Sequence, residues 1–593
     1  MIRTMKRQLI IACLLFISIL AKASKADPTP VVVLQPDGTK LTIVLHGDEH
    51  FGWIATIDGV LLVQQRDGYY VAKVSAEGDL LATKQLAHDS RQRSLAERKM
   101  IKAQSQKEFL RAAGVKRAQA MRRIGIGSTT PPYFPHMGSP KVLAILVEFS
   151  DSTFSLTNPK RSFDDYLNYE GHPLPNYDAN EQRNYGSVRQ YFKDMSNGLF
   201  TPQFDVVGPV KLGKTLSYYG ADSGGSKDVN SRELIIDACK AVDGEVNFKD
   251  YDGNGDGIAD LVYIIYAGYA QSVGGNQTTD LWPKSSYFYD GVSFDGVKIG
   301  RYGISNELNY NRTRKFDTPP AKRINGIGLF CHEFSHTMGL PDFYPISPDG
   351  FANNQTMEFW DIMDSGTYTD NGYMPTPYTP WEKEVMGWIK VDTLAADSVK
   401  VELPVGASYK ILTDNEKEYL IIHNVQREGW NAKQLGHGML IYRVNYEKQA
   451  VNMTDRVNDV AGSPGMTIVP ADGLIINSTT KDADEKASYI KSHAGDPFPG
   501  SENVDSLITA KLNYGDFTKP FYAIKEDAKT GSVSFNFLKK NVTTAIVEIK
   551  QSGTSTSPDT DHRIYTVDGR YVGTEIEKLP KGIYIQNKKC VRR

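Results

Sequence analysis

In "GLFCHEFSHTMGLPDFY", residues 328–344, two histidines stand four apart with a glutamate after the first, and a glycine and an aspartate follow at three-residue steps. On a helix, positions four apart share a face about one turn from each other, so the imidazoles of His332 and His336 can reach one ion. Glu333 falls at the edge of that face, where a carboxylate can take a proton from a metal-activated water without being a ligand. Gly339 supplies the left-handed backbone with which a helix stops and the chain reverses. Asp342 follows where a third ligand would swing back, completing three protein ligands and one water. Zinc held this way lowers the pKa of water toward about 7 and polarises a carbonyl, the chemistry of metal-assisted hydrolysis. A competing set takes its third ligand from Glu358 in "MEFWD". Gly339 favours Asp342, because a helix-breaking glycine is needed there only if the chain turns straight back to the metal.

A second run, "DYDGNGDGIAD", sets oxygen donors at Asp250, Asp252, Asn254, Asp256 and Asp260 with Gly257 for a tight turn. Calcium takes six to eight oxygens, which such a loop can supply. It lacks the glutamate that ends an EF-hand loop, so the expectation is a structural calcium site.

These residues need elements to hold them. From Pro30 to about His88, short Val/Ile/Leu/Tyr runs are punctuated by Asp-Gly and Glu-Gly pairs, the pattern of successive hairpins. Ser90 to Arg123 is rich in Arg, Lys, Gln, Ala and Glu without proline and reads as helix; it runs out into the linker "GIGSTTPPYFPHMGSP". "KVLAILVEFSD" and "DLVYIIYAGYA" read as buried strands, while "SVRQYFKDM" and "SRELIIDACKAV" read as helices; their alternation implies an α/β sheet packed with helices. After about Val391 the helices give way to closely spaced strands, "VKVELPV", "SYKILT", "YLIIHNVQ", "GMLIYRVN", "MTIVPAD" and "SVSFNFL", which suggest a β-sandwich-like domain.

The chain has 593 residues, too many for one core, and its net charge of -2 argues against a nucleic-acid surface. Arg3, Lys6 and Arg7 precede an apolar run from Leu9 to Ala21, with Ala21, Ala23 and Ala26 as cleavage points, the pattern of a secretory signal peptide. With it removed, Cys239, Cys331 and Cys590 remain, odd in number and widely spaced, and define no disulfide framework. No other stretch is apolar for long enough to span a bilayer.

His332-Glu333-x-x-His336-x-x-Gly339-x-x-Asp342 resembles the metzincin signature with aspartate in place of the usual third histidine, and "HEFSHTMGLPDFY" resembles the immune inhibitor A family of secreted bacterial metalloproteases. "FWDIMDSGTY", with Met363, is similar to the methionine turn beneath a metzincin zinc. The likeness spans roughly Val142 to Trp388. Many relatives carry a histidine after "DLWP", where this chain has Lys284, so that position is given no role. Tyr368 and Tyr378 are candidates for hydrogen bonding an oxyanion. "IYTVDGRYVG" followed by "LPKGIYI" resembles the C-terminal sorting domains of type IX secretion substrates.

The resemblance implies a multidomain protein with an α/β metzincin-like catalytic domain, an N-terminal β-rich prosegment and a C-terminal β-sandwich-like domain. The expected division is a signal peptide (1–26), prosegment (27–135), zinc metalloprotease domain (136–392), β-sandwich-like domain (393–545) and sorting-like module (546–593). The expected function is an exported zinc endopeptidase made as a zymogen, secreted or at the cell surface, a monomer without a membrane anchor, acting on proteins or peptides and not on nucleic acid. The alternative is a surface adhesin or carbohydrate-binding protein with a degenerate protease domain; Glu333 argues against it, since a binding scaffold has no use for a base beside its metal.

Overall fold

The computed structural model describes residues 25–540, with breaks of which 113–131, 176–182, 316–322 and 475–491 are the longest, and short stretches of 564–592. Most of the expected signal sequence, the linker arginines Arg122 and Arg123, and the segment 552–561 lie outside the described residues. The chain divides into two compact units, Met1–Thr543 and Thr544–Arg593.

The larger unit is organised around a five-stranded sheet ordered Lys284–Tyr287, Arg301–Leu308, Val262–Tyr269, Lys141–Glu148, Gln203–Lys211. The last four strands are parallel to their neighbours, and Lys284–Tyr287 is an antiparallel edge. Successive side chains of a strand point to opposite faces. Val142, Ala144 and Leu146 enter one core while Leu143, Ile145 and Val147 enter the other, which is why this strand reads as an unbroken apolar run. The second core is closed by helix Ser231–Val242 through Leu234, Ile235, Ala238 and Cys239. The first is closed by helices Pro159–Asn168, Val188–Met195 and Ile327–Thr337, the last bearing the histidine motif.

The N-terminal strands form a seven-stranded sheet, six between Val31 and Leu86 and a seventh, Thr313–Lys315, drawn from the motif-bearing region. That strand pairs in parallel with Val31–Leu34, Val32 facing Thr313 and Leu34 facing Lys315. Trp282 is built into the core of this sheet beside Val33, Leu41 and Val71. The helix expected over Ser90–Arg123 is interrupted in its described part: Leu95–Lys102 ends at Ala103, and residues 106, 108–110 and 112 are helical again. Gln104 then turns inward, its side chain binding the backbone of Leu61 and Ala72.

After residue 393, a three-stranded sheet (Lys400–Leu403, Val533–Phe537, Phe521–Glu526) and a four-stranded sheet (Ser408–Leu412, Tyr419–Val425, Gly438–Val444, Met466–Ile468) share a core that includes Leu403, Phe535, Leu420 and Ile441. The other face of the four-stranded sheet, with Ile421, Tyr442 and Val444, packs into the core that holds the motif helix. The smaller unit, Thr544–Arg593, contains a four-stranded antiparallel sheet. Among the described residues no helix is long and apolar enough to cross a membrane.

Candidate metal centre

Helix Ile327–Thr337 is buried along its whole length, as expected of a helix apolar on nearly every side. Gly328 makes this possible, since a Cβ there would lie 2.0 Å from the carbonyl oxygen of Thr367. The helix ends at Met338; Gly339 has φ +106°, its N–H donates to His336 O at 3.0 Å, and Leu340 N–H reaches back to Ser335 O at 3.2 Å. This glycine closure satisfies the last carbonyls and reverses the chain within two residues.

The reversal returns Asp342 to the histidines. Its Oδ1 lies 3.1 Å from His336 Nε2 and 3.4 Å from His332 Nε2, and one ligand atom from each of the three residues falls within 4.8 Å of the others. His332 Nδ1 lies 2.8 Å from Ile362 O and His336 Nδ1 2.7 Å from Leu340 O. A carbonyl oxygen only accepts, so both protons sit on Nδ1 and both Nε2 lone pairs face the carboxylate. Burial also pushes His336 below its usual pKa, against the pull of Asp342. Three electron-rich atoms thus converge without a proton between them, in residues no more than 1% exposed. A cation satisfies that arrangement, and two imidazole nitrogens with one carboxylate are a donor set suited to zinc.

Met363 is fully buried in the core that also holds the motif helix. Its carbonyl accepts from Phe343 N–H at 2.9 Å, and its own N–H donates to Asp361 Oδ1 at 2.7 Å. The turn therefore holds both His332, through Ile362 O, and the chain just beyond Asp342. Glu333 is also fully buried, next to His332 on the motif helix.

The other candidates are placed elsewhere. Glu358, in the left-handed region at φ 51°, presents its carboxylate to Lys25, with Oε2 3.6 Å from Nζ. Tyr378 hydrogen bonds to the Ser335 hydroxyl. Tyr368 donates to the backbone carbonyl of Lys25 at 2.5 Å. Lys284 is buried in an ion pair with Asp228 at 2.5 Å. In the expected calcium loop, Asp252 accepts from the amides of Asp256 and Gly257, Asp256 from that of Ile258, Asp260 from that of Gly253, and Asp250 from the Asn247 side chain. Asn254 accepts from the Asp256 amide, so the loop's own hydrogen bonds shape the turn.

Sequence reading gave no role to the residues around the methionine turn. Asp361 and Glu382 are buried neighbours; burial pushes both carboxyls up, Asp361 well above its usual range and Glu382 to about 7. The "DxM" spacing that lets Asp361 cap Met363 is the only local signal that could have found either.

The motif-bearing part of the chain is similar to known proteins. Residues 133–390 match the family described as "Immune inhibitor A peptidase M6, catalytic domain". The chain is 26% identical over 321 residues to "Pre-pro-metalloprotease PrtV" of Vibrio cholerae, covering 47% of this chain and 34% of the relative. It is 27% identical over 284 residues to "Immune inhibitor A" of Bacillus thuringiensis subsp. alesti, covering 41% of this chain and 39% of the relative. The chain thus spans little more than a third of the length of the curated relatives it matches. The motif-bearing segment of the chain, residues 133–390, is thus similar to the immune inhibitor A (M6) peptidase catalytic domain.

Proposed function

We propose that the chain is a zinc-dependent endopeptidase, exported in a latent form and acting on proteins as a monomer. The observation that carries this reading is the convergence of His332 Nε2, His336 Nε2 and Asp342 Oδ1, with both histidine Nδ1 atoms turned to backbone carbonyl oxygens. His332, His336 and Asp342 would hold the ion, and Zn2+ bound there supplies Lewis acidity to the scissile carbonyl and its attacking water. Glu333 takes a proton from that water as it attacks and delivers it to the departing amide nitrogen. Met363 and the turn around it keep the histidine tautomers and the Asp342 reversal in place. The expected domain limits (27–135, 136–392, 393–545 and 546–593), the signal peptide, the metzincin-like and sandwich-like descriptions and the sorting-like tail belong to this reading. Calcium at Asp250, Asp252, Asn254, Asp256 and Asp260 belongs to it as well, as a structural ion, since a carboxylate that accepts an amide hydrogen bond keeps lone pairs for a cation.

The test is hydrolysis of denatured and native protein substrates, with and without a zinc chelator, by the parent and by Glu333→Gln. The parent should lose activity on chelation and regain it with zinc. The variant should bind zinc normally and hydrolyse at least about a hundredfold more slowly. Near-normal turnover by Glu333→Gln would sink the mechanism.

A further inference from the structure

The chain just beyond Asp342 is gripped from two sides. Phe343 N–H donates to Met363 O at 2.9 Å, which ties it to the methionine turn, and Phe343 O accepts from Nδ2 of Asn458, 115 positions further along. Asn458 is 1% exposed and sits in the loop that leads into strand Met466–Ile468, in the strand-rich region after residue 393. Its Oδ1 accepts from Met466 N–H at 2.9 Å. A peptide N–H only donates and a peptide carbonyl only accepts, so both ends of the side chain are committed, and an amide can serve both.

The next residue repeats the grip. Asp459 Oδ1 accepts from the N–H groups of Ile346 and Ser347, the second at 2.7 Å, and Asp459 O accepts from the Ser347 hydroxyl at 2.7 Å. The contact is reciprocal: Asn354 Nδ2 donates to Asn458 O at 2.7 Å and to Val460 O at 2.8 Å, and its Oδ1 accepts from Gly462 N–H at 2.8 Å. Gly350 permits so close an approach, since a Cβ there would lie 2.8 Å from Asn458 O. The loop is braced at its base, where Gly465 N–H donates to Val457 O at 3.0 Å, and strand Met466–Ile468 pairs with Gly438–Val444.

The placement bears on the metal centre. Leu340 is held by His336 and Ser335, Pro341 has a fixed φ, and Phe343 is held at both its N–H and its C=O, so the backbone at Asp342 is restrained on either side. We propose that Asn458, with Asp459 beside it, is a positioning residue for the third metal ligand, so that the metal centre is completed by the strand-rich region after residue 393 and not by the motif helix and methionine turn alone. This rests on the zinc peptidase reading above.

Zinc affinity of the full chain, measured against a competing chelator, tests it without turnover. Asn458→Asp keeps an acceptor for Met466 N–H and sets a carboxylate oxygen against Phe343 O in place of the donor. Its zinc affinity should fall about tenfold or more, the cost of losing a partner that orients a ligand. Asp459→Ala should also bind zinc more weakly, while Asp459→Asn, which keeps an acceptor for Ile346 and Ser347, should stay near the parent. Asn424→Ala is the control for packing. Asn424 is fully buried and donates to Leu403 O and Gly531 O, both at 2.8 Å, so its loss should lower the thermal unfolding midpoint without changing the zinc affinity of the folded chain. Unchanged affinity in Asn458→Asp and Asp459→Ala overturns the clamp, as does an equal fall in Asn424→Ala. Should Asn458→Asp not fold, the contrast between Asp459→Ala and Asp459→Asn decides alone. A parent that binds zinc and digests protein, beside variants of unchanged affinity, leaves the peptidase reading standing without the clamp; a parent that binds no zinc overturns both.

Discussion

His332 Nδ1 lies 2.8 Å from the carbonyl oxygen of Ile362, the residue immediately before Met363. The hydrogen bond ties the first histidine of the motif to a turn about thirty residues downstream and fixes which ring nitrogen is left for a metal. The turn in turn depends on its packing, because Met363 is fully buried in the core that includes Phe343, Ile362 and Trp381.

Met363→Ala should therefore cost about 2–5 kcal/mol of stability by leaving a cavity in that core, while Met363→Leu, of similar volume, should cost less than about 1.5 kcal/mol. Denaturant unfolding of the metal-free proteins measures the first effect. Zinc affinity should fall in the alanine variant and hold in the leucine one. Equal affinity in both would mean that the side chain does not position His332.

Asp342 and Glu358 separate the two ligand sets by experiment. Asp342→Ala should weaken zinc binding by about one or two orders of magnitude or more, since even partners outside the ligand shell are worth that much. Glu358→Ala should leave the zinc content unchanged, because its carboxylate faces Lys25 at 3.6 Å. Metal analysis of both purified variants decides; zinc kept by the first and lost by the second would replace the ligand set proposed here.

Much of this was legible in the sequence because it was local. The helix pair, the Gly339 reversal and the apolar strands Lys141–Glu148 and Val262–Tyr269 each announce themselves within a dozen residues. Strand Arg301–Leu308 did not. It is buried at every position yet carries Arg301, Asn306 and Glu307, so no apolar run marks it. Its polar groups are satisfied by distant partners: Glu307 accepts from both the amide and hydroxyl of Ser155 at 2.6 Å, and Arg301 donates to Pro132 O at 2.6 Å. The pairing of Thr313–Lys315 with Val31–Leu34 and the insertion of Lys25 are likewise non-local, and no spacing rule reaches across some three hundred residues. The acidic loop at 250–260 is local in sequence, and its carboxylates accept from the loop's own amides; donor spacing alone does not say whether the remaining lone pairs also hold an ion.

The buried Asp361–Glu382 pair gives stability a pH dependence with a definite sign. Burial raises the folded Glu382 pKa from 4.5 to about 7, and Asp361 is raised as well. Below the lower value both folded and unfolded states are protonated and no penalty is felt. Between the two values the unfolded chain releases its proton first, so stability falls as pH rises, by an amount on the order of 1–3 kcal/mol in all. Glu382→Gln should remove much of that slope while keeping an acceptor for Thr379 N–H. Unfolding of the metal-free parent and variant, followed across this range so that histidine–metal binding does not intervene, should show the variant gaining on the parent with rising pH. A constant difference would mean that Glu382 is ionised throughout.

Latency can be tested from the burial of the site. His332, Glu333 and His336 are fully buried and Asp342 is 1% exposed, so the site is covered while the chain is arranged this way. The N-terminal sheet is held to the motif-bearing region by strand pairing at Val32 and Thr313 and by Trp282 in its core. None of these contacts is broken by a cut in 113–131. Limited proteolysis at Arg122 or Arg123 should therefore yield a nicked protein that stays nearly inactive until the N-terminal part dissociates, and activity should rise severalfold on separation. Returning the purified N-terminal fragment should suppress activity again. Size-exclusion chromatography of the nicked protein, with peptidase assays on each fraction, measures both quantities. If the uncut chain hydrolyses substrate as fast as the separated catalytic part, the N-terminal module is a permanent domain and not a prosegment.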